Sequence, residues 1–235
     1  MMRSGFLMAE KKRAAWAVFL VLCLLCIVLS AGCGGDEDDP TPIAPIGPTT
    51  AVEYTERGWE WFEAAEFNDA LADFKKAINL DVNFGEAYTG KGWTLLAQAV
   101  STTDMQGAVG SFDNAINNGE AGADVLAGLA AANLGAGGTS LEAAIADAEA
   151  ALALDPSFIF THRESFSAAD LRLIVAFAWA AKGEFPLALA ASDPVLDSGI
   201  QEEIATTWSV DGITYESFTG AVLAQLHKLS AQFSG

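Results

Sequence analysis

The chain has 235 residues, about half of them apolar, with 12 basic residues against 31 acidic ones and a formal charge of −19. That length holds one domain of ordinary size plus a tail. Alanine and leucine dominate and long alternating runs are almost missing, which favours an all-α fold. The acid excess nearly excludes nucleic acid as a partner, because phosphate binding needs the opposite sign.

The first segment reads as an address. Arg3, Lys11, Lys12 and Arg13 precede an unbroken apolar run over 14–29, and Ser30-Ala31-Gly32-Cys33 follows. Small residues and a cysteine at that boundary resemble a bacterial lipoprotein signal, although Ser30 stands where leucine is usual. The resemblance implies a signal peptide over 1–32 and lipidation at Cys33. The alternative is an uncleaved anchor, since 14–31 is just long enough to span a bilayer. Either way the remainder is tethered to a membrane of the bacterial cell envelope. Gly34 rather than Asp after Cys33 favours the outer membrane, facing periplasm or cell surface, under the enteric sorting rule. Cys23 and Cys26 lie inside the apolar run, so cleavage leaves Cys33 alone, with no disulfide, zinc site or cysteine nucleophile to build. Eight basic and thirty acidic residues then remain, a charge of −22. Residues 33–50 form an acidic, proline-rich tether: Asp36-Glu37-Asp38-Asp39, then Pro40, Pro42, Pro45 and Pro48. Four adjacent carboxylates without a loop glycine are a solvated tether rather than a calcium site.

From Ala51 the chain repeats itself. Arg57-Gly58-Trp59 returns 34 positions later as Lys91-Gly92-Trp93, and Ala70, Phe74 and Ala77 return as Ala108, Phe112 and Ala115. Small residues let two antiparallel helices approach, and Trp61, Phe67 and Phe74 are expected to fill their seam. This pattern resembles a tetratricopeptide (TPR) repeat. The resemblance implies a right-handed superhelix of about four helix-turn-helix repeats with a C-terminal capping helix. The repeats fall at 51–84, 85–120, 121–158 and 169–197, with an insert at 159–168 and a final segment at 198–235.

Within these repeats the local signals follow in order. Asn68 is the expected N-cap of the second helix. Gly92 to Ala108 spans sixteen residues where Gly58 to Ala70 spans twelve, so the first helix of repeat two is expected to lengthen by one turn. Thr103-x-x-Gln106 and Thr139-x-x-Glu142 read as capping boxes. Repeat three puts Ala144, Ala148 and Ala151 at the Ala/Phe/Ala positions and closes on Leu154-Asp155-Pro156. The insert interleaves Phe158, Phe160 and Phe166 with Thr161-His162-Arg163-Glu164, which suggests an extended segment lying on the helices. His162, Glu164 and Ser165 contain the residue types of a hydrolase triad, but sequence adjacency is not how such groups meet. Repeat four opens on a Ser167 cap, with Ala176 and Trp179 on its core face, Pro186 in the first turn of its second helix, and Pro194 ending it. Trp208 to Thr214 reads as a tight Asp-Gly turn. Thr214 then caps an amphipathic helix carrying Phe218, Val222, Leu226, Leu229 and Phe233, with His227 beside the stripe.

In TPR proteins the first helix of each repeat lines a concave face that binds the partner. Carried onto this chain, the resemblance assigns Trp59, Phe62 and Glu63 in repeat one and Trp93, Leu96 and Ala97 in repeat two. Repeat three contributes Leu129 and Asn133, and repeat four Leu173, Phe177 and Ala181. Exposed aromatics in a groove are the usual anchors of an interface. The competing arrangement has the insert or the last helix folded across the groove, which makes the same aromatics ordinary core. The function expected is a protein or peptide scaffold needing no cofactor or metal; the alternative is a glycan-binding lipoprotein stacking sugars on the aromatic wall. An enzyme is least expected, because no motif pairs a nucleophile with a base.

Overall fold

A computed structural model describes residues 47–193, 195 and 208–233. The signal peptide over 1–32, Cys33, the acidic part of the tether, Pro194 and the end of repeat four lie outside the described residues. Among those described, nine α-helices follow one another: α1 (Ala51–Glu63), α2 (Phe67–Leu80), α3 (Gly85–Gln98), α4 (Thr102–Asn117), α5 (Ala123–Ala136), α6 (Leu141–Leu154), α7 (Ala168–Ala181), α8 (Phe185–Ser192) and α9 (Phe218–Phe233). A short antiparallel hairpin, β1 (Trp208–Val210) and β2 (Ile213–Tyr215), precedes the last helix. Among the described residues no helix is long and apolar enough to cross a membrane.

Each helix packs on the one before it, so α1/α2, α3/α4, α5/α6 and α7/α8 are successive hairpins. The odd-numbered helices α1, α3, α5 and α7 also touch each other in sequence, whereas α2, α4, α6 and α8 do not. A stack whose first helices are close and whose second helices splay apart is curved, with the first helices inside. The architecture is an all-α solenoid of helical hairpins.

The seams depend on where glycine stands. A Cβ on Gly58 would meet the Phe74 ring at 2.7 Å, and one on Gly90 would meet the same ring at 2.2 Å. Phe112 sits likewise against Gly92 at 2.7 Å and Gly128 at 2.3 Å. Each ring is fully buried and fills a slot made by its own hairpin and the next, so stacking completes a core that no hairpin has alone. Trp61 does not join this seam; it is 37% exposed, and Trp59 and Phe62 take the buried positions instead. Arg57, beside Gly58, is paired with the buried Asp73. The guanidinium Nε donates to Asp73 Oδ2 at 2.6 Å and Nη2 to Oδ1 at 2.8 Å, tying α1 to α2.

Several caps differ from expectation. Asn68 lies inside α2, which begins at Phe67 without a side-chain cap, and its carboxamide oxygen accepts from Gln98 instead. Helix α4 is capped by Ser101, whose Oγ accepts from the Asp104 amide while Asp104 accepts from the Val100 amide. The extra turn of repeat two therefore sits mostly at the start of the second helix: Ala70 lies three positions after Phe67, and Ala108 six positions after Thr102. Residues 138–140 make a 3₁₀ turn before α6, so Thr139 and Glu142 form no box. The Ser167 cap and the Pro186 position in the first turn of α8 are as expected, and Asp170 completes the cap as a capping box. The Asp211-Gly212 turn forms, with both residues at positive φ. Thr214 belongs to β2, and Ser217 accepts from the Gly220 amide at the start of α9. Val222, Leu226 and Leu229 are fully buried, and α9 packs on α7 and α8. It covers the apolar face that the last hairpin would otherwise expose, while His227 stays exposed.

A groove filled by the chain itself

The concave face does not stay open along its whole length. After α6 the chain leaves the stack, and the insert turns back over the inner helices of repeats one and two. It is not extended. Its ends meet where the Ala168 amide donates to Phe158 O at 2.7 Å and Ile159 bridges Ser167. Two consecutive turns close it: the Arg163 amide donates to Phe160 O at 3.0 Å and the Phe166 amide to Arg163 O at 2.9 Å. A loop closed on its own backbone bonds can leave its side chains free to face the helices.

Those side chains meet the wall ring by ring. Phe160 stacks on Trp93 with centroids 4.0 Å apart and planes inclined by 17°. His162 stacks on Trp59 at 3.9 Å and 2°. Phe166 meets Trp93 edge-on at 5.2 Å, and Phe160 also touches Trp59 and Phe62. The imidazole Nδ1 lies 2.8 Å from Glu63 Oε1, across 99 residues of chain. Trp59 and Glu63 are four apart on α1 and so share one face of it. Phe160 is 1% exposed. Burying a ring of that size contributes about 2–3 kcal/mol.

The residues assigned to the concave face therefore divide. Trp59, Phe62 and Trp93 are buried, beneath or beside the insert, and Leu129 is buried among the neighbouring helices. Leu96 is half-buried and Glu63 is exposed at the rim. Leu173, itself buried, and Phe177, half-buried, line an open, mainly apolar cavity of about 250 Å³ with Ala131, Leu134, Phe166 and Asp170. A second cavity of about 390 Å³ opens beside the insert, between Phe62, Glu63, Phe67, Ala97, His162 and Arg163. Of the two competing arrangements, the insert across the groove describes repeats one and two, and open wall describes part of repeats three and four. The last helix contributes Ser230 to the lining of the open cavity and packs on α7, α8 and the β-hairpin.

Polar groups in the groove are unevenly served. Trp93 Nε1 donates to Asp124 O at 3.2 Å, fastening repeat two to repeat three. Trp59 Nε1 is buried and has no acceptor among the described residues. An unpaired buried donor costs about 1–3 kcal/mol. The His162, Glu164 and Ser165 string does not assemble: the imidazole faces Glu63, and Ser165 Oγ accepts from Arg163 Nε at 3.3 Å. Among the described residues no group of three or more His, Cys, Asp or Glu side chains gathers as a metal site. Sequence reading missed the imidazole–indole stack. Its signal was present in His162 standing two residues after Phe160, but the partner Trp59 is a hundred residues away.

No protein-family model matches the sequence and no curated protein is significantly similar to it. Solved structures are similar in fold. "YrrB: a TPR protein with an unusual peptide-binding site" superposes with a TM-score of 0.50 at 20% identity, covering 63% of this chain and 70% of that one. MamA from Desulfovibrio magneticus RS-1 superposes with a TM-score of 0.50 at 19% identity, over 63% of this chain and 74% of its own. Another MamA structure gives 0.51 at 16% identity, over 78% of this chain and 89% of that one. These likenesses show a TPR fold.

Proposed function

We propose that the chain is a protein–protein interaction or assembly scaffold, tethered to a membrane of the bacterial cell envelope through Cys33, and that its partner docks on the concave face. The observation that carries this reading is the seating of the 158–168 loop on Trp59 and Trp93. An inner wall that already holds a short, aromatic-bearing segment has the shape and chemistry to hold another. The peptide site named for YrrB is consistent with that use of the fold, but fold alone does not transmit a ligand. The tether rests on the basic leader, the apolar run and the small residues before Cys33.

No reaction is assigned, because the residues that could form a triad face other partners. A glycan wall is the weaker alternative: the indole faces that would stack on sugars are covered by His162 and Phe160.

Two experiments test the proposal. A photo-crosslinking residue at Phe177 in intact cells should yield one discrete protein adduct, and the same residue at the outer position Asp69 should not. Equal adducts from both positions overturn concave docking. Metabolic labelling with an alkynyl fatty acid should mark the wild-type protein and not Cys33→Ala; label on both, or on neither, overturns the lipid tether.

A further inference from the structure

The insert supplies more than a cover; its chemistry describes what the groove accepts. Two subsites lie side by side on the first helices of repeats one and two. One is the face of Trp93, filled by a phenyl ring at 4.0 Å. The other is the face of Trp59 with the Glu63 carboxylate beside it, filled by an imidazole that stacks at 3.9 Å and reaches the carboxylate at 2.8 Å. An indole face next to an accessible carboxylate favours a flat cation, by cation–π attraction and by charge. The Glu63 side chain is 54% exposed, and the 390 Å³ cavity beside it leaves room for a side chain longer than histidine. The Trp59 indole N–H is a donor that the resident loop leaves unpaired. After leader cleavage the chain carries thirty acidic residues against eight basic ones, so a cationic partner is the one its field attracts.

We propose that residues 158–168 are a resident self-ligand, and that the partner displaces them with a turn or loop carrying an aromatic residue and, two positions later, a histidine or arginine. This inference rests on the concave-face reading above and names the partner's chemistry. The hold is of a kind that can be exchanged. The loop's backbone bonds run within the loop itself and none of them reaches the wall, and Arg163, Glu164 and Ser165 already face solvent. A competitor that offers the same two groups, with an acceptor for Trp59 Nε1 and, where it carries arginine, a second guanidinium N–H for Glu63, gains what the loop gives up.

The test uses the full chain and a fluorescent synthetic peptide of residues 157–168, followed by anisotropy. Peptide affinity should rise about tenfold when the resident loop is weakened by Phe160→Ala or, separately, by His162→Ala, because the competent fraction rises. His162→Ala alters a part-exposed ring, so it reports even where Phe160→Ala unfolds the chain; circular dichroism identifies which variants remain folded. A peptide carrying His162→Arg should bind more tightly than the parent, and that gain should vanish when Glu63→Gln is added to the opened chain. Equal affinity for the unmodified and opened chains, no binding to a folded opened chain, or indifference to Glu63→Gln each overturn the self-ligand. The crosslink from Phe177 is independent of these outcomes: one adduct there with a failed peptide experiment leaves the scaffold standing and removes only this assignment.

Discussion

Repeats one and two and repeats three and four use the same hairpin in different ways. In the first pair, large rings (Phe74 and Phe112) enter glycine slots, and the concave face is closed by a loop that returns from beyond repeat three. In the second pair, the matching ring positions hold the fully buried small residues Ala148 and Ser192, and α7 brings the larger buried side chains Leu171 and Val175 into the same core as Ala148. There the inner wall keeps an open apolar cavity beside Leu173 and Phe177. The difference teaches that the fold specifies a spacing between helices and leaves open which helix supplies the filling side chain. It also leaves open whether the inner face is spent on the chain's own core or left for docking.

The interlock is the most sensitive point of the comparison. Phe74→Ala should destabilise the protein by about 3–5 kcal/mol, because both Gly58 and Gly90 then border a cavity. Ala148→Phe makes repeat three resemble its predecessors, yet it should cost about 1–3 kcal/mol by overpacking, since the neighbouring side chains already fill the seam. Urea unfolding of the two variants measures both. A stabilised Ala148→Phe would show that the second pair merely lacks a ring.

The aspartates before these two positions should respond with opposite sign. Burial pushes the Asp73 carboxyl up, but the hydrogen bonds and charges of Arg57 and Lys76 outweigh it and the net shift is downward. Asp147 is pushed up by burial, and further by Asp113, with the Asn133 amide only partly offsetting this. A lowered pKa means that Asp73 contributes its stability above the ordinary carboxylate range and loses it as pH falls through the lowered value. A raised pKa means that charged Asp147 costs stability near neutral pH, and the cost is relieved as pH falls through the raised value. Asp73→Asn should therefore destabilise by about 2 kcal/mol at neutral pH, less than for a fully buried pair because Arg57 is partly solvated. Asp147→Asn should be neutral to stabilising at the same pH. Thermal melts across acid to neutral pH check both, and matching signs would break the contrast.

The turns between paired helices give the smallest effect. Ala65 holds φ at 60° after α1, where the fourth hairpin has Gly183 at 84°. A Cβ in that region costs about 1 kcal/mol, so Ala65→Gly should stabilise by roughly that amount and Gly183→Ala should destabilise by it. Paired denaturation curves measure the exchange.

The hairpin stack was legible in the chain because its signals are local and periodic: a glycine, a ring and two alanines at a fixed interval state which faces must meet. The Ser167 cap, the Asp-Gly turn and the stripe of α9 were readable for the same reason. Caps at Asn68, Thr103, Thr139 and Thr214 were misread, because several residues of capping type stand within a few positions of each helix start. Local preference alone does not choose among them. Trp61 was misplaced by one face, since a repeat aligned on Gly58 leaves both Trp59 and Trp61 near the seam.

What the amino-acid sequence decided by itself is the repeating unit and its order, because close helix approach needs small residues, and Gly58, Gly90, Gly92 and Gly128 leave the room that the Phe74 and Phe112 rings fill. What the tertiary structure decided is the fate of the inner wall. Trp59, Glu63 and Trp93 become receptor or core according to whether His162 and Phe160 lie on them, and those side chains arrive from about a hundred and about seventy residues away. Such a contact leaves no periodic mark in the chain, since its closure entropy is offset only after the helices have stacked and offered it a surface.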